Sequence, residues 1–314
     1  MGHFRAEYES AAVPAGGDPA DVDVEFVRHV EPADGLSVRG GYKTARWRVV
    51  LSTPGEHPLR AQIAIAGAPL SFGLSLVQGY FVEPLIAVAA ARSGCVLLPS
   101  AAVGKNGGAV VLMGRSRSGK SSLSARALAA GKAVLGDDQV LVDGAGRCWA
   151  FPRRVRIYSD LRDTAPAAYA LLDAATRAAL TGRRVVRALT RGYVAPPVRV
   201  SLQALGEAAR PAALPIARVV LIERSSAVES LTGAPLEIGL AIAKAQDLLE
   251  RQRDQLGCAR DPAWAEALQE TSAKEAFILR ATFANASLHH LLVPARWSAA
   301  HAVTTLAQEL GTER

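Results

Sequence analysis

Four residues at fixed spacing carry the clearest chemical signal in the sequence. Gly114, Gly119, Lys120 and Ser121 fit the pattern G-x-x-x-x-G-K-[ST], which is typical of loops that bind polyphosphates. In such a loop, backbone N–H groups surround the β-phosphate while glycines keep side chains away. The lysine brings a positive charge to the β- and γ-phosphates, and the serine hydroxyl is a small, hard ligand for Mg²⁺. The residues expected to line this site are Gly114, Arg115, Ser116, Arg117, Ser118, Gly119, Lys120, Ser121 and Ser122.

The segments on either side of this loop have the composition that the motif requires. Residues 109–113 are all apolar and predict a fully buried parallel strand, and residues 122–130 predict a helix that ends at Gly131. A strand, a loop and a helix in this order direct the loop and the positive end of the helix dipole towards a bound anion. The sequence therefore predicts an α/β core built around the loop.

Two adjacent carboxylates follow one helix later. Asp137 and Asp138 interrupt a predicted strand at residues 132–142, and a right-handed crossover from the loop would return them to the phosphates. Such a pair is too costly to bury without a cation. One carboxylate could then hold Mg²⁺ while the other accepts a proton from an attacking hydroxyl. The alternative is a plain acidic turn on the surface.

A rival acid stands at the end of a second apolar strand. Residues 216–224 predict a core strand that closes with Glu223 and Arg224. An ordinary ATPase places an acid after such a strand, beside its magnesium. The alternative is that Arg218 and Arg224 simply pair with Glu223.

Two groups of arginines could receive an acidic substrate. Arg153 and Arg154, with Arg156, follow the predicted catalytic strand and are candidates for binding an acidic peptide or the transferred phosphate. The second group follows a predicted helix at residues 166–181, and solvated faces are the favoured interpretation there. Its members are Arg183, Arg184, Arg187 and Arg191.

The composition of the chain indicates which kinds of partner and cellular location to expect. The chain has 314 residues, 50% of them hydrophobic, and a net charge of +7, which favours anionic partners. Nucleic acid is not expected, because no recognition motif occurs and aromatic residues are not interleaved with basic ones. Three cysteines at wide spacing indicate reduced thiols. Without a secretory segment or an uncharged stretch of 18 residues, we expect a cytoplasmic protein that does not cross a membrane.

The remaining elements predict two domains. Residues 22–30, 45–51 and 59–65 alternate as strands of a small antiparallel region, and residues 79–93 predict a buried helix. The predicted division is an N-terminal β-rich region at 1–93, which includes this helix, and a domain around the phosphate-binding loop at 94–314. Further along, residues 236–256 and 262–275 predict helices, 277–283 and 288–293 predict strands, and 298–310 predicts a closing helix capped by Ser298.

The sequence around the phosphate loop and the aspartate pair resembles a known family. A phosphate loop followed by one helix and an Asp-Asp pair is similar to the HPr kinase/phosphorylase family and its stand-alone relatives, whose fold is shared with phosphoenolpyruvate carboxykinase. Residues 97–103, Leu-Leu-Pro-Ser-Ala-Ala-Val, and 151–156, Phe-Pro-Arg-Arg-Val-Arg, also look similar, and the resemblance covers about residues 95 to 160. It implies a kinase that uses ATP and Mg²⁺ to phosphorylate a serine of a peptide or small protein, such as a natural-product precursor peptide.

By this resemblance, Gly114, Gly119 and Lys120 hold the phosphates and Ser121 the metal. Asp137 and Asp138 share the roles of metal partner and general base. Assembly into a homo-oligomer stays open.

Three features of the sequence depart from the family pattern. Arg117 stands where a second glycine is usual, Pro99 stands where a histidine is usual, and the glycine-rich signature after the Asp pair is absent. Two alternatives are therefore kept: an ATPase or nucleotide-dependent switch without a protein acceptor, and a degenerate nucleotide-binding partner protein.

Overall fold

The computed structural model describes residues 2–8, 21–30, 36–191, 196–206, 211–257 and 261–312. The chain is mixed α/β, with 43% helix and 30% strand. It forms two compact units, each from two stretches of sequence. The first comprises Met1–Leu97 and Gln246–Leu279, and the second Leu98–Ala245 and Arg280–Arg314. The domain division at residue 93 stays a prediction.

The first unit is built on a four-stranded sheet with the order β1-β4-β3-β2. The strands are β1 (Val22–Phe26), β2 (Leu36–Tyr42), β3 (Ala45–Leu51) and β4 (Leu59–Ala66). The predicted strands are present, but the sheet is not purely antiparallel, because β1 runs parallel to β4. Inward residues of β3 and β4, including Trp47 and Ile63, join a buried cluster with Phe81 and Trp264.

The helices of this unit are α1 (Gly2–Glu7), α2 (Leu70–Val77) and α3 (Glu83–Arg92), joined by the C-terminal part of α8 (Ile238–Gly257) and most of α9 (Pro262–Phe283). A π-helical turn, Gln78–Val82, links α2 to α3. Among the described residues, Leu70–Arg92 is a helical stretch long and apolar enough to cross a membrane, and 56% of its most apolar window is buried. That burial is what a core helix requires, since α2 packs on β3 and β4.

The second unit contains the larger sheet, in which the strands run β9-β10-β13-β7-β6-β8 and β15 also pairs with β13. After β5 (Cys95–Leu98), where the chain leaves the first unit, the strands are β6 (Ser100–Lys105), β7 (Gly108–Met113), β8 (Val134–Gly136), β9 (Val140–Asp143), β10 (Arg147–Trp149), β13 (Ala213–Ser225), β14 (Thr232–Pro235) and β15 (Ser287–Pro294). A separate pair consists of β11 (Val155–Ile157) and β12 (Val198–Val200).

Strand β7 is buried at every residue, as the apolar run predicts. It is parallel to β13 but antiparallel to β6, because a tight turn with positive φ at Asn106 and Gly107 joins β6 and β7 as a hairpin. On one face of this sheet, α4 (Lys120–Ala129) and α10 (Ala299–Leu310) bury a shared core that includes Leu112, Leu123 and Leu306. The helix after the loop and the capped closing helix are thus confirmed, with Ser298 accepting from the His301 N–H at 3.2 Å.

Two predictions about other elements are wrong. Residues 277–283 form the end of α9 instead of a strand. The buried residues of this part of α9 recur at helical spacing on one face of the helix. They are Thr271, Glu275, Ile278, Leu279, Thr282 and Phe283. The helix predicted at 166–181 is interrupted: after the short α5 (Leu161–Thr164), the structure has α6 (Pro166–Leu171) and α7 (Ala174–Leu189). The helix breaks because Asp173 starts α7, with its carboxylate accepting from the Thr176 N–H at 2.6 Å.

Candidate active site

The loop at residues 114–119 is shaped by glycines at its two ends. Gly114 has φ of +153° and Gly119 has φ of +103°, a region that side chains rarely adopt. A Cβ at Gly114 would also lie 2.5 Å from the Ile222 carbonyl oxygen of β13. Gly119 is the N-cap of α4, and no described side chain caps that end. The first N–H groups of the helix are therefore open to an anion.

Lys120 folds back over this loop. Its ammonium group donates to the carbonyl oxygens of Gly114 at 2.6 Å and Arg115 at 3.1 Å, and contacts Ser118 Oγ at 3.4 Å. Burial lowers the pKa of Lys120, and the carboxylates of Asp138 and Asp137 act in the opposite direction. The structure therefore brings the predicted lysine and the predicted aspartate pair into one electrostatic neighbourhood, as the crossover argument expects.

Asp137 is buried beside the start of α4. It is 6% exposed, and neither of its carboxylate oxygens accepts a hydrogen bond of ordinary geometry from the part of the chain that the structure describes. Burial and the charge of Asp138 raise its pKa to about 7, although the hydroxyls of Ser121 and Ser124 lie close enough to oppose this shift. The charge of Lys120 offsets only part of this shift, and a carboxylate buried this deeply is costly without a closer cation.

Asp138 points towards two arginines. Its Oδ2 atom lies 3.5 Å from Arg156 Nη1 and 4.0 Å from Arg153 Nη1. Arg153 and Arg156 both belong to the basic segment at residues 153–156, and a role of Arg153 and Arg154 in binding substrate stays a prediction. Val155 and Ile157 of β11 are buried, so Arg156 between them faces the other way. The alternation of apolar and basic residues at 155–157 is the sequence pattern that indicates this orientation of Arg156.

Tyr158 also belongs to this neighbourhood, although it is not among the predicted site residues. Burial raises the pKa of its hydroxyl, and the charges of Asp138 and then Asp137 add to that shift. A single tyrosine after a short strand carries no motif, so only the fold reveals its position.

The rival acid Glu223 has partners of its own. Its Oε1 accepts from Lys244 Nζ at 2.7 Å, and its Oε2 lies 2.8 Å from His290 Nε2. Burial would raise the pKa of Glu223, but the hydrogen bonds from Lys244 and His290 outweigh it and hold the pKa below its ordinary value. The pairing with Arg218 and Arg224 is not what forms, since Arg224 donates to the Pro294 carbonyl at 3.0 Å.

The second arginine group forms exposed ion pairs. Arg184 lies 3.8 Å from Asp163 and Arg187 lies 3.8 Å from Asp160, with all four side chains substantially exposed. Arg183 donates to the Pro197 carbonyl. This is the solvated face that the sequence favours.

The donor set around the loop suits one kind of metal. Among the described residues, no group of three or more His, Cys, Asp or Glu side chains could hold an ion. Magnesium in a nucleotide site needs only one or two protein ligands, because phosphates and water complete its shell. Ser121 and Asp137 are the residues that fit.

Comparison of the sequence with models of protein families and with curated proteins gave no match. Within the described part of the chain, the site combines a helix N-terminus open to anions, a lysine, a buried carboxylate that accepts no hydrogen bond of ordinary geometry, and an aspartate in contact with arginines.

Proposed function

We propose that this protein is an ATP- and Mg²⁺-dependent kinase of the HPr-kinase-like class, which transfers a phosphoryl group to a serine of a peptide or small protein. The single observation that carries the proposal is Asp137. Its carboxylate is almost fully buried, its oxygens accept no ordinary hydrogen bond from the described residues, and the Ser121 hydroxyl lies beside it. Burial of that kind is costly unless a cation is part of the functional state.

The nucleotide would lie across the N-terminus of α4. The open N–H groups of the loop and the helix would hold its β-phosphate. Lys120 is already positioned over the loop, and its ammonium could exchange the Gly114 and Arg115 carbonyl oxygens for phosphate oxygens. Magnesium, held by Ser121 and Asp137, would neutralise charge on the β- and γ-phosphates.

Asp138 is the better placed general base of the pair. It is about one-third exposed, so an acceptor could reach it, whereas Asp137 is closed off. In the transfer step, the acceptor oxygen forms a bond to the γ-phosphorus and the bond from that phosphorus to the β-phosphate oxygen breaks. The hydroxyl proton passes to the Asp138 carboxylate, and ADP leaves. In this proposal Asp137 holds the metal and Asp138 is the general base.

The fold assignment within this proposal is a core like that of HPr kinase and phosphoenolpyruvate carboxykinase. Its support is the order β7, loop, α4 and β8, with the aspartate pair directly after β8. An ATPase that uses Glu223 is less well supported, because both oxygens of Glu223 already have cationic or imidazole partners.

Labelled ATP tests the proposal directly. The protein would be incubated with Mg²⁺, labelled ATP and a library of serine peptides or a cell lysate, and the modified residue located by mass spectrometry. In the wild type we expect the label on a serine. Asp138→Asn should lower the rate of transfer by about a hundredfold or more but should still bind ATP. Asp163→Asn, an exposed aspartate in an ion pair, is the matched control. Transfer that persists in Asp138→Asn but disappears in Glu223→Gln would overturn the assignment.

A further inference from the structure

Asp138 is in loose contact with Arg153 and Arg156. One carboxylate oxygen, Oδ2, faces both guanidinium groups, and the distances of 3.5 and 4.0 Å are longer than those of a tight bidentate pair. The Arg153 side chain is 6% exposed and that of Arg156 is 23% exposed. The pair is thus sheltered yet still open to a ligand from the Arg156 side.

The β11–β12 register adds a further cation to the same face. Arg156 lies directly opposite Arg199, while the flanking pairs, Val155 with Val200 and Ile157 with Val198, have side chains in the core cluster or packed against it. Guanidinium groups at opposed positions on neighbouring strands concentrate positive charge at this face. That charge favours a bound oxyanion, and guanidinium forks match the geometry of carboxylate or phosphate.

We infer that Arg153 and Arg156 form a subsite for a carboxylate on the acceptor peptide, and that Asp138 occupies it until the acceptor binds. This inference rests on the proposed function. When the carboxylate of the acceptor takes its place, Oδ2 of Asp138 turns from the guanidinium groups to the serine hydroxyl. The substrate class is therefore a serine peptide with an acidic group near the serine, and the exchange suppresses ATP hydrolysis while no acceptor is bound.

Inorganic sulfate serves as the probe because it presents oxyanion geometry without a hydroxyl to phosphorylate. With saturating Mg²⁺ and ATP, hydrolysis transfers the γ-phosphoryl group to water, whose proton passes to Asp138, and yields ADP and phosphate. We expect sulfate, compared with chloride at equal ionic strength, to raise this rate about fivefold, the factor that about 1 kcal/mol of ion pairing represents. In Arg156→Gln, the rate without sulfate should already be raised, and sulfate should add little.

Three controls keep the test decisive. Arg184→Gln removes an arginine from an exposed ion pair and should respond to sulfate as the wild type does. Arg156→Lys keeps the charge without the fork and should give an intermediate response. Thermal unfolding establishes that each variant is folded. Titration calorimetry of sulfate into protein loaded with Mg²⁺ and a non-hydrolysable ATP analogue should show affinity about tenfold weaker in Arg156→Gln than in Arg184→Gln.

The outcomes separate the two proposals. If wild type binds and hydrolyses ATP but sulfate acts equally on Arg156→Gln and Arg184→Gln, the acceptor subsite is wrong and the proposed function stands. A lower rate in Arg156→Gln than in wild type, without sulfate, would also overturn the subsite, because Arg156 would then act on the nucleotide. If wild type binds no ATP, the proposed function fails, and this inference fails with it.

Discussion

Two buried aspartates six residues apart behave in opposite ways. Asp137, in the turn after β8, and Asp143, at the end of β9, are 6% and 7% exposed. Asp143 accepts four hydrogen bonds: from the N–H groups of Ala145 and Arg147 at 3.0 Å each, from Arg147 Nε at 2.9 Å and from Trp149 Nε1 at 2.8 Å. Asp137 accepts none of ordinary geometry from the described residues.

The pKa values follow this difference. Burial alone would raise the pKa of Asp143, but the hydrogen bonds from Trp149 and Arg147 outweigh it and lower the pKa. Burial and the neighbouring charge of Asp138 raise the pKa of Asp137 to about 7. Similar solvent exposure therefore does not mean an equal role, and Asp137 is also the more deeply buried of the two. Asp143 has its compensation built into the hairpin, whereas the described residues supply Asp137 with no comparable set of donors.

The largest effect expected from this comparison is on turnover. Asp137→Asn removes the charge that would hold Mg²⁺, so we expect phosphoryl transfer to fall by about a thousandfold or more. Asp143→Asn should leave transfer within about threefold of wild type at a temperature where it is folded. Steady-state rates with ATP and Mg²⁺ provide the measurement. Equal losses in both variants would mean that the two aspartates do not differ in role.

The same two variants should change stability in opposite directions. Asp143→Asn leaves four partly buried hydrogen bonds without their charged acceptor, and we expect it to lower the free energy of unfolding by about 2 kcal/mol. Asp137→Asn removes an uncompensated buried carboxylate and should be neutral or stabilising when Mg²⁺ and nucleotide are absent. Urea unfolding in the presence of a chelator measures both. A large destabilisation by Asp137→Asn would indicate that this carboxylate has structural partners after all.

The pH dependence sharpens the comparison further. The folded pKa of Asp137, about 7, lies above its ordinary value of 3.8, so its contribution to stability is present below about pH 4 and is lost as the pH rises towards 7. The advantage of Asp137→Asn over wild type should grow across this window. The lowered pKa of Asp143 gives a contribution that is present above about pH 4 and is lost below it. Unfolding measured at pH 3, 4, 5.5 and 7 would reveal both trends, and parallel curves would contradict them.

The smallest expected effect concerns Arg117. It has φ of +69°, which suits glycine better than arginine. Arg117→Gly should raise the free energy of unfolding by about 0.5–1 kcal/mol, since glycine removes the strain but adds some flexibility to the unfolded chain. Thermal unfolding measures the gain, with Arg115→Gly as the matched control outside the left-handed region. A loss of stability in Arg117→Gly would mean that the arginine side chain makes a stabilising contact.

The sequence predicts well those features that depend on neighbours along the chain. The buried strand β7, the loop glycines with positive φ and the start of α4 are all local consequences of residue type. The sequence predicts less well those features that depend on contacts between distant parts of the chain. The contact of Asp138 with Arg156 requires the path of the chain from β8 to β11, and the four donors of Asp143 require the turn of the β9–β10 hairpin. The strand predicted at 277–283 failed because apolar content alone does not distinguish a short strand from the end of a long helix.

The two-segment construction of each unit has a consequence for how the protein is made. Strand β15 and helix α10 complete the second unit, but they are synthesised after the segment Gln246–Leu279, which belongs to the first. A nascent chain that ends before residue 246 therefore leaves the β15 edge of β13 uncovered, and exposed strand edges of this kind attract other chains. Neither unit is complete on the ribosome until nearly the whole polypeptide has emerged, so truncated forms of this protein should depend on chaperones to stay in solution.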